Sequence, residues 1–124
     1  MPNAQGFRDL RAYQLAFKLA MEIFQESKIS PRRKSILSPI KFDGRREALA
    51  SNIAEGYRKK RYPKMFVSKM ADADGEATET QVWLDFAEAC GYLPSKRQSQ
   101  LRAGYEELGR MLGSMIAHPE NFAR

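Results

Sequence analysis

Few residues in this chain have the type and spacing to do chemistry. Asp72, Asp74, Glu76 and Glu79 put four carboxylates within eight positions, the composition of a divalent-cation site. At helical spacing they spread around a rod, and the pattern matches neither an EF-hand loop nor the paired Glu-x-x-His of di-metal bundles. A solvated or subunit-facing acidic surface is the simpler reading. His118 is the only histidine, stands beside Pro119, and has no cysteine cluster to complete a zinc site; it reads as a solvated helix cap. The glycines follow no strand and match neither a phosphate loop nor a dinucleotide fingerprint. No catalytic residue, metal or cofactor is expected, and the protein reads as a non-enzyme.

The basic residues carry more. Arg58, Lys59, Lys60 and Arg61 are consecutive and flanked by Tyr57 and Tyr62, and Arg32, Arg33 and Lys34 form a second cluster. Lysine and arginine neutralise phosphates and release counterions, while tyrosines stack on unpaired bases. These nine residues are the candidate nucleic-acid contacts. No recognition-helix or RNA-binding motif accompanies them, so base readout is not implied. The bland alternative is a solvated basic surface.

The net charge of +6 is unevenly spread. From Lys28 to Arg61 there are eleven Lys/Arg against three Asp/Glu, whereas Met70 to Tyr92 holds six acids and no Lys or Arg. Such asymmetry suits a polyanion partner, complementary patches that dock subunits on each other, or both. At 124 residues and 43% hydrophobic content the chain is expected to form one domain, residues 1–124, with a core that needs no staple. No apolar run approaches a membrane span, and residues 1–6 lack the features of a secretory signal. The lone Cys90 suits a reducing cytoplasm and is expected to be a buried small hydrophobe.

The elements that must position these groups are helical. Phe7, Leu10, Tyr13, Phe17, Met21 and Phe24 fall at steps of three and four, predicting a first helix over 7–27 with these aromatics inward. Residues 28–42 read as a connection, tacked down by Ile36, Leu37, Ile40 and Phe42. Asp43 is a fair N-cap for a second helix ending at Glu55, with Leu49, Ile53 and Ala54 inward. Its small residues let neighbouring backbones come close. Asn52 and Glu55 are expected as a satisfied polar pair that fixes register, and Gly56 as the left-handed cap. A third helix is predicted from Pro63 to Cys90. Its inner stripe is Phe66, Met70, Ala73, Ala77, Thr80, Leu84 and Ala87, widened by Trp83 and Phe86. Gly91 terminates it. Ser95 and Gln98 form a capping-box pattern that opens a fourth helix, with Leu101, Tyr105, Leu108, Met111, Leu112, Met115 and Ile116 inside. Gly104, Gly109 and Gly113 on that helix point to close approach by another helix, and the tail after Pro119 is expected to fray.

Four motifs carry a resemblance. Phe7-x-x-Leu10-x-x-Tyr13-Gln14-x-Ala16, Ser51-Asn52-Ile53-Ala54-Glu55-Gly56, Glu79-Thr80-Gln81 and Gly91-Tyr92-Leu93 together span nearly the whole chain. They resemble the four-helix-bundle family first named for reading frames inside intervening sequences of bacterial large-subunit rRNA genes. The accessory variability determinant proteins of diversity-generating retroelements are in the same superfamily. The chain departs from the family pattern at Ala73-Asp74-Gly75-Glu76-Ala77-Thr78, where the family carries Gly-Ser followed by glutamate. The resemblance implies an all-α, up-and-down four-helix bundle assembling into a ring-like homo-oligomer, typically a pentamer. It implies no enzymatic activity and, for the retroelement relatives, binding to nucleic acid and to a reverse transcriptase. Two readings follow: an oligomeric bundle that binds structured RNA or DNA through basic loops, or a protein–protein scaffold whose charge asymmetry serves self-assembly or docking of a partner such as a reverse transcriptase.

Overall fold

The computed structural model describes residues 6–26 and 45–122. Within them run four α-helices: α1 (Arg11–Glu26), α2 (Arg45–Arg58), α3 (Pro63–Ala89) and α4 (Ser95–Ala117). Short 3-10 turns, Gly6–Asp9 and Pro119–Phe122, flank the set. Among the described residues there is no strand, and no helix is long and apolar enough to cross a membrane. The basic triplet Arg32-Arg33-Lys34, the cap at Asp43 and the apolar residues of 36–42 lie outside the described residues.

Helix α1 packs on α2 and α4, and α3 packs on the same two, so α1 and α3 lie across the bundle from each other. Side-chain pairs fix the directions. Arg97, near the start of α4, reaches Glu22 and Glu26 at the end of α1, and Glu55 near the end of α2 meets Lys69 near the start of α3. Gln98 of α4 donates to Asp85 of α3 at 2.9 Å. Neighbours are therefore antiparallel, the up-and-down arrangement.

The long helix α3 follows its sequence pattern closely. All seven of its expected inward residues, Phe66 through Ala87, are buried. Pro63 opens it at the first turn, where a missing N–H costs nothing. Gly91 closes it at φ +77°, with Gly91 N–H donating to Glu88 O at 3.0 Å and Tyr92 N–H to Ala87 O at 2.9 Å. That hydrogen-bond pair is a Schellman cap, and it needs a residue that tolerates positive φ.

Helix α1 departs from expectation. Its buried face is Ala12, Ala16, Leu19 and Ile23, whereas Phe17 is 52% exposed and Met21 43%. The helix carries two apolar stripes, and packing selects the one with small residues. Gly104 of α4 approaches so closely that a Cβ there would stand 2.5 Å from Leu19 Cδ2. Phe86 on α3 likewise lies outward at 66% exposure, and Cys90, at the C-cap of that helix, is exposed rather than buried. The expected capping box at Ser95 is not formed. Ser95 Oγ instead donates to Glu88 at 2.7 Å, so Ser95 and Gln98 both fasten α4 to the end of α3. The C-terminal turn docks, with Phe122 stacked on Phe66 at 5.6 Å between centroids.

Candidate nucleic-acid interface

The tyrosine-flanked basic run sits on the turn between α2 and α3, at the end of the bundle where α1 begins and α4 finishes. The turn is anchored from beneath. Gly56 is buried within α2, and a Cβ on it would stand 2.7 Å from Met70 Cε and 3.0 Å from Lys69 Cβ. A side chain here would have to displace the Met70 methyl and crowd Lys69 Cβ, so the glycine lets α2 and α3 pack closely just before the hairpin turns. This corrects the expectation that Gly56 is a left-handed cap: α2 continues through Arg58, and the described glycines with positive φ are Gly6 and Gly91.

Beyond α2 the backbone is tied by three-residue steps. Lys59 N–H donates to Gly56 O at 3.0 Å, Lys60 N–H to Tyr57 O at 3.1 Å, and Tyr62 N–H to Lys59 O at 2.9 Å. Lys59 and Lys60 are half-buried on this turn. Arg58, Arg61 and Tyr62 are exposed, and Tyr62 is 63% so. Lys60 folds back over the Tyr57 ring, 4.2 Å from its centroid, and donates to the Tyr57 hydroxyl at 3.0 Å. This cation–π contact occupies one face of Tyr57 and leaves Tyr62 as the open aromatic surface.

Two cations that the sequence pattern did not single out join the site. Lys59 from the turn and Lys64 and Lys69 from α3 border one shallow concavity together with Met65 and Ser68. Lys64 and Ser68 are one helical turn apart, a signal visible in sequence; that Lys59 meets them depends on the hairpin and is not. Lys69 Nζ lies 2.9 Å from Glu55, and the hydrogen bond and charge of Glu55 raise the lysine's pKa above its ordinary value. Glu55 is thus an exposed partner of Lys69 rather than half of a buried pair with Asn52, which is half-buried on α2.

Of the acidic residues of α3, Asp72 acts on Lys69 through its charge at the edge of the site, and Asp85 and Glu88 lie toward the far end of the rod. Asp85 and Glu88 are engaged by Gln98 and Ser95. Among the described residues no three His, Cys, Asp or Glu side chains converge as a metal site. His118 caps α4, its N–H bonded to Ser114 O, and its ring nitrogen lies 3.4 Å from Glu120.

No curated protein and no solved structure matches the chain. A protein-family model does, that of the 23S rRNA-intervening sequence proteins, over residues 8–114, from the start of the bundle to the last turns of α4. The chain belongs to the family of 23S rRNA-intervening sequence proteins.

Proposed function

We propose that this protein is a non-enzymatic, self-assembling helical bundle that binds structured RNA or DNA through the α2–α3 turn. The observation that carries the reading is the turn itself. Four consecutive cations and an open tyrosine are presented on a backbone pinned by the Gly56 contact, with Lys64 and Lys69 extending the positive surface onto α3. Phosphates are met by cations of this kind with loss of counterions, and Tyr62 offers a stacking face to an unpaired base. The family description, which ties these proteins to intervening sequences in 23S rRNA, supports an RNA context. Arg32, Arg33 and Lys34 would add to the same charge. The assembly we expect is a ring-like homo-oligomer, a pentamer, acting in the cytoplasm as an accessory to an rRNA insertion or a retroelement.

The test is binding of a structured RNA hairpin and of duplex DNA by the purified protein as salt is raised. The reading expects tight binding at low salt that weakens steeply, and loss of binding when Arg58 to Arg61 are all changed to glutamine. Absence of low-salt binding, or indifference to that change, would sink it.

A second reading is a scaffold that self-assembles or docks a protein partner such as a reverse transcriptase. The segregation of acids onto α3 favours it. It expects the purified assembly to recover protein and no nucleic acid from cells.

A further inference from the structure

Among the described cations at the α2–α3 turn, Lys69 alone already holds a carboxylate. Its Nζ lies 2.9 Å from Glu55, and Asp72, one turn further along α3, adds to the pull through its charge. Lys59 and Lys64 border the same concavity without an ion pair to any described residue, and Lys60 is turned back onto Tyr57. The Glu55–Lys69 pair is open to solvent, the two side chains being 57% and 32% exposed. An ion pair this open contributes little to stability and is loosened by salt, so it exchanges partners at small cost. Lysine suits such an exchange, because its ammonium is a point charge with three donors on a flexible stem. The root of the side chain is fixed, since a Cβ on Gly56 would stand 3.0 Å from Lys69 Cβ, and the choice of partner rests with the ammonium end.

We propose that Glu55 is an internal competitor for the phosphate backbone: nucleic acid seats on the α2–α3 turn by taking Lys69 over from Glu55, and Glu55 thereby sets how tightly the site binds. A ligand that touches only Arg58 and Arg61 at the turn gains nothing from the exchange. One that continues onto α3 lays a phosphate in the concavity bordered by Lys59, Lys64 and Lys69, where the exposed Ser68 also offers a hydroxyl. It then gains a third ammonium and leaves the Glu55 carboxylate to water. Glu55 is in this way a determinant of specificity, favouring a nucleic acid that runs along the first turns of α3 over a polyanion that meets the turn alone. The inference rests on nucleic-acid binding at this turn, as in the proposed function, and assigns Glu55 and Lys69 their parts in it.

A double-mutant cycle on the binding of one structured RNA hairpin at low salt tests it, with circular dichroism and urea midpoints confirming that each variant is folded. Glu55→Gln releases Lys69 and is expected to tighten binding by about two- to fivefold, the strength of an exposed ion pair. Lys69→Gln is expected to weaken binding and to make the slope of log affinity against log salt shallower by about 0.7–0.9, one phosphate contact. Added to Lys69→Gln, the change at Glu55 should give a smaller gain than in the wild type, because no lysine is there to release; the difference between the two gains measures the coupling. Equal gains in the two backgrounds would mean that Glu55 only repels phosphates through its field. A Lys69→Gln protein with wild-type affinity and slope would mean that the lysine stays with Glu55, and weaker binding by Glu55→Gln that the carboxylate positions Lys69 for phosphate. Each of these three results overturns the exchange and leaves the turn standing as a nucleic-acid site. A wild type that binds no RNA at low salt overturns the proposed function and this inference together.

Discussion

Gly56 of α2 faces Met70 of α3 so closely that a methyl group on the glycine would stand 2.7 Å from the Met70 Cε. Met70 is fully buried, but its Cε is the far end of a flexible side chain and can turn aside; Lys69 Cβ, on the other flank at 3.0 Å, is the neighbour held to its backbone. Gly56→Ala gains helix propensity but must displace the buried Met70 methyl and crowd Lys69 Cβ, and overpacking of this kind costs about 1–3 kcal/mol. We expect a net loss of stability for alanine and a larger one for valine, read as a lowered midpoint in urea. A stabilised Gly56→Ala protein would show that the helices do not meet as described.

Tyr105 is 1% exposed, and its hydroxyl has no hydrogen-bond partner among the described residues. Burial pushes its pKa well above the ordinary 10.0, with a smaller opposing effect from nearby Arg46. A buried hydroxyl left unbonded costs about 1–3 kcal/mol, so Tyr105→Phe is expected to stabilise the protein by about 1 kcal/mol. The pH dependence has a definite sign. Above pH 10 the unfolded chain releases the tyrosine proton while the folded chain retains it, so stability falls as pH rises. Urea midpoints measured between pH 9 and 11 should decline less steeply in Tyr105→Phe than in the wild type.

Arg97 holds α4 to α1 through two carboxylates, with its Nε 2.5 Å from Glu26 and its Nη2 2.8 Å from Glu22. Its planar fork serves both acids at once, which a lysine cannot do. Removing the partner of a largely buried carboxylate is costly. Here the arginine side chain keeps about a quarter of its exposure, so we expect Arg97→Met to lose about 2–3 kcal/mol, less than the ~3–5 kcal/mol of a fully buried pair. Arg97→Lys should recover only part of that loss in the same denaturation assay.

The two tyrosines of the basic turn are not equivalent. Lys60 covers one face of Tyr57, while Tyr62 is open to solvent. Stacking of a base on an aromatic ring is worth about 1–3 kcal/mol. Tyr62→Ala is therefore expected to weaken binding of single-stranded or looped RNA by about tenfold and to leave duplex DNA binding little changed. Equal losses for both ligands would mean that Tyr62 does not stack.

How far the sequence could be read differs by element. The inward face of α3 was legible in full, because one apolar stripe runs its length at helical period and Pro63 and Gly91 mark its ends. The buried face of α1 is not legible, because the helix carries an aromatic stripe and an alanine–leucine stripe side by side, and size argues for burying the wrong one. Only the closeness of α4 at Gly104 decides in favour of the small residues. The closeness of α2 is legible in its small residues, but the role of Gly56 is not, since a glycine before a basic turn looks the same whether it ends a helix or lets two helices touch. Within the candidate site the run from Tyr57 to Tyr62 is contiguous and plain. The addition of Lys64 and Lys69 depends on how the hairpin folds, which no spacing in the chain records.

The central claim is that the α2–α3 turn meets phosphates. The slope of log affinity against log salt measures it most directly, because each phosphate neutralised contributes about 0.7–0.9 to that slope. Wild-type protein and a variant with Arg58, Lys59 and Arg61 all changed to glutamine should be titrated with the same structured RNA. The account predicts weaker binding by the variant and a slope shallower by about two to three, one contact for each lost cation. A variant whose affinity and slope both equal the wild type's would contradict it.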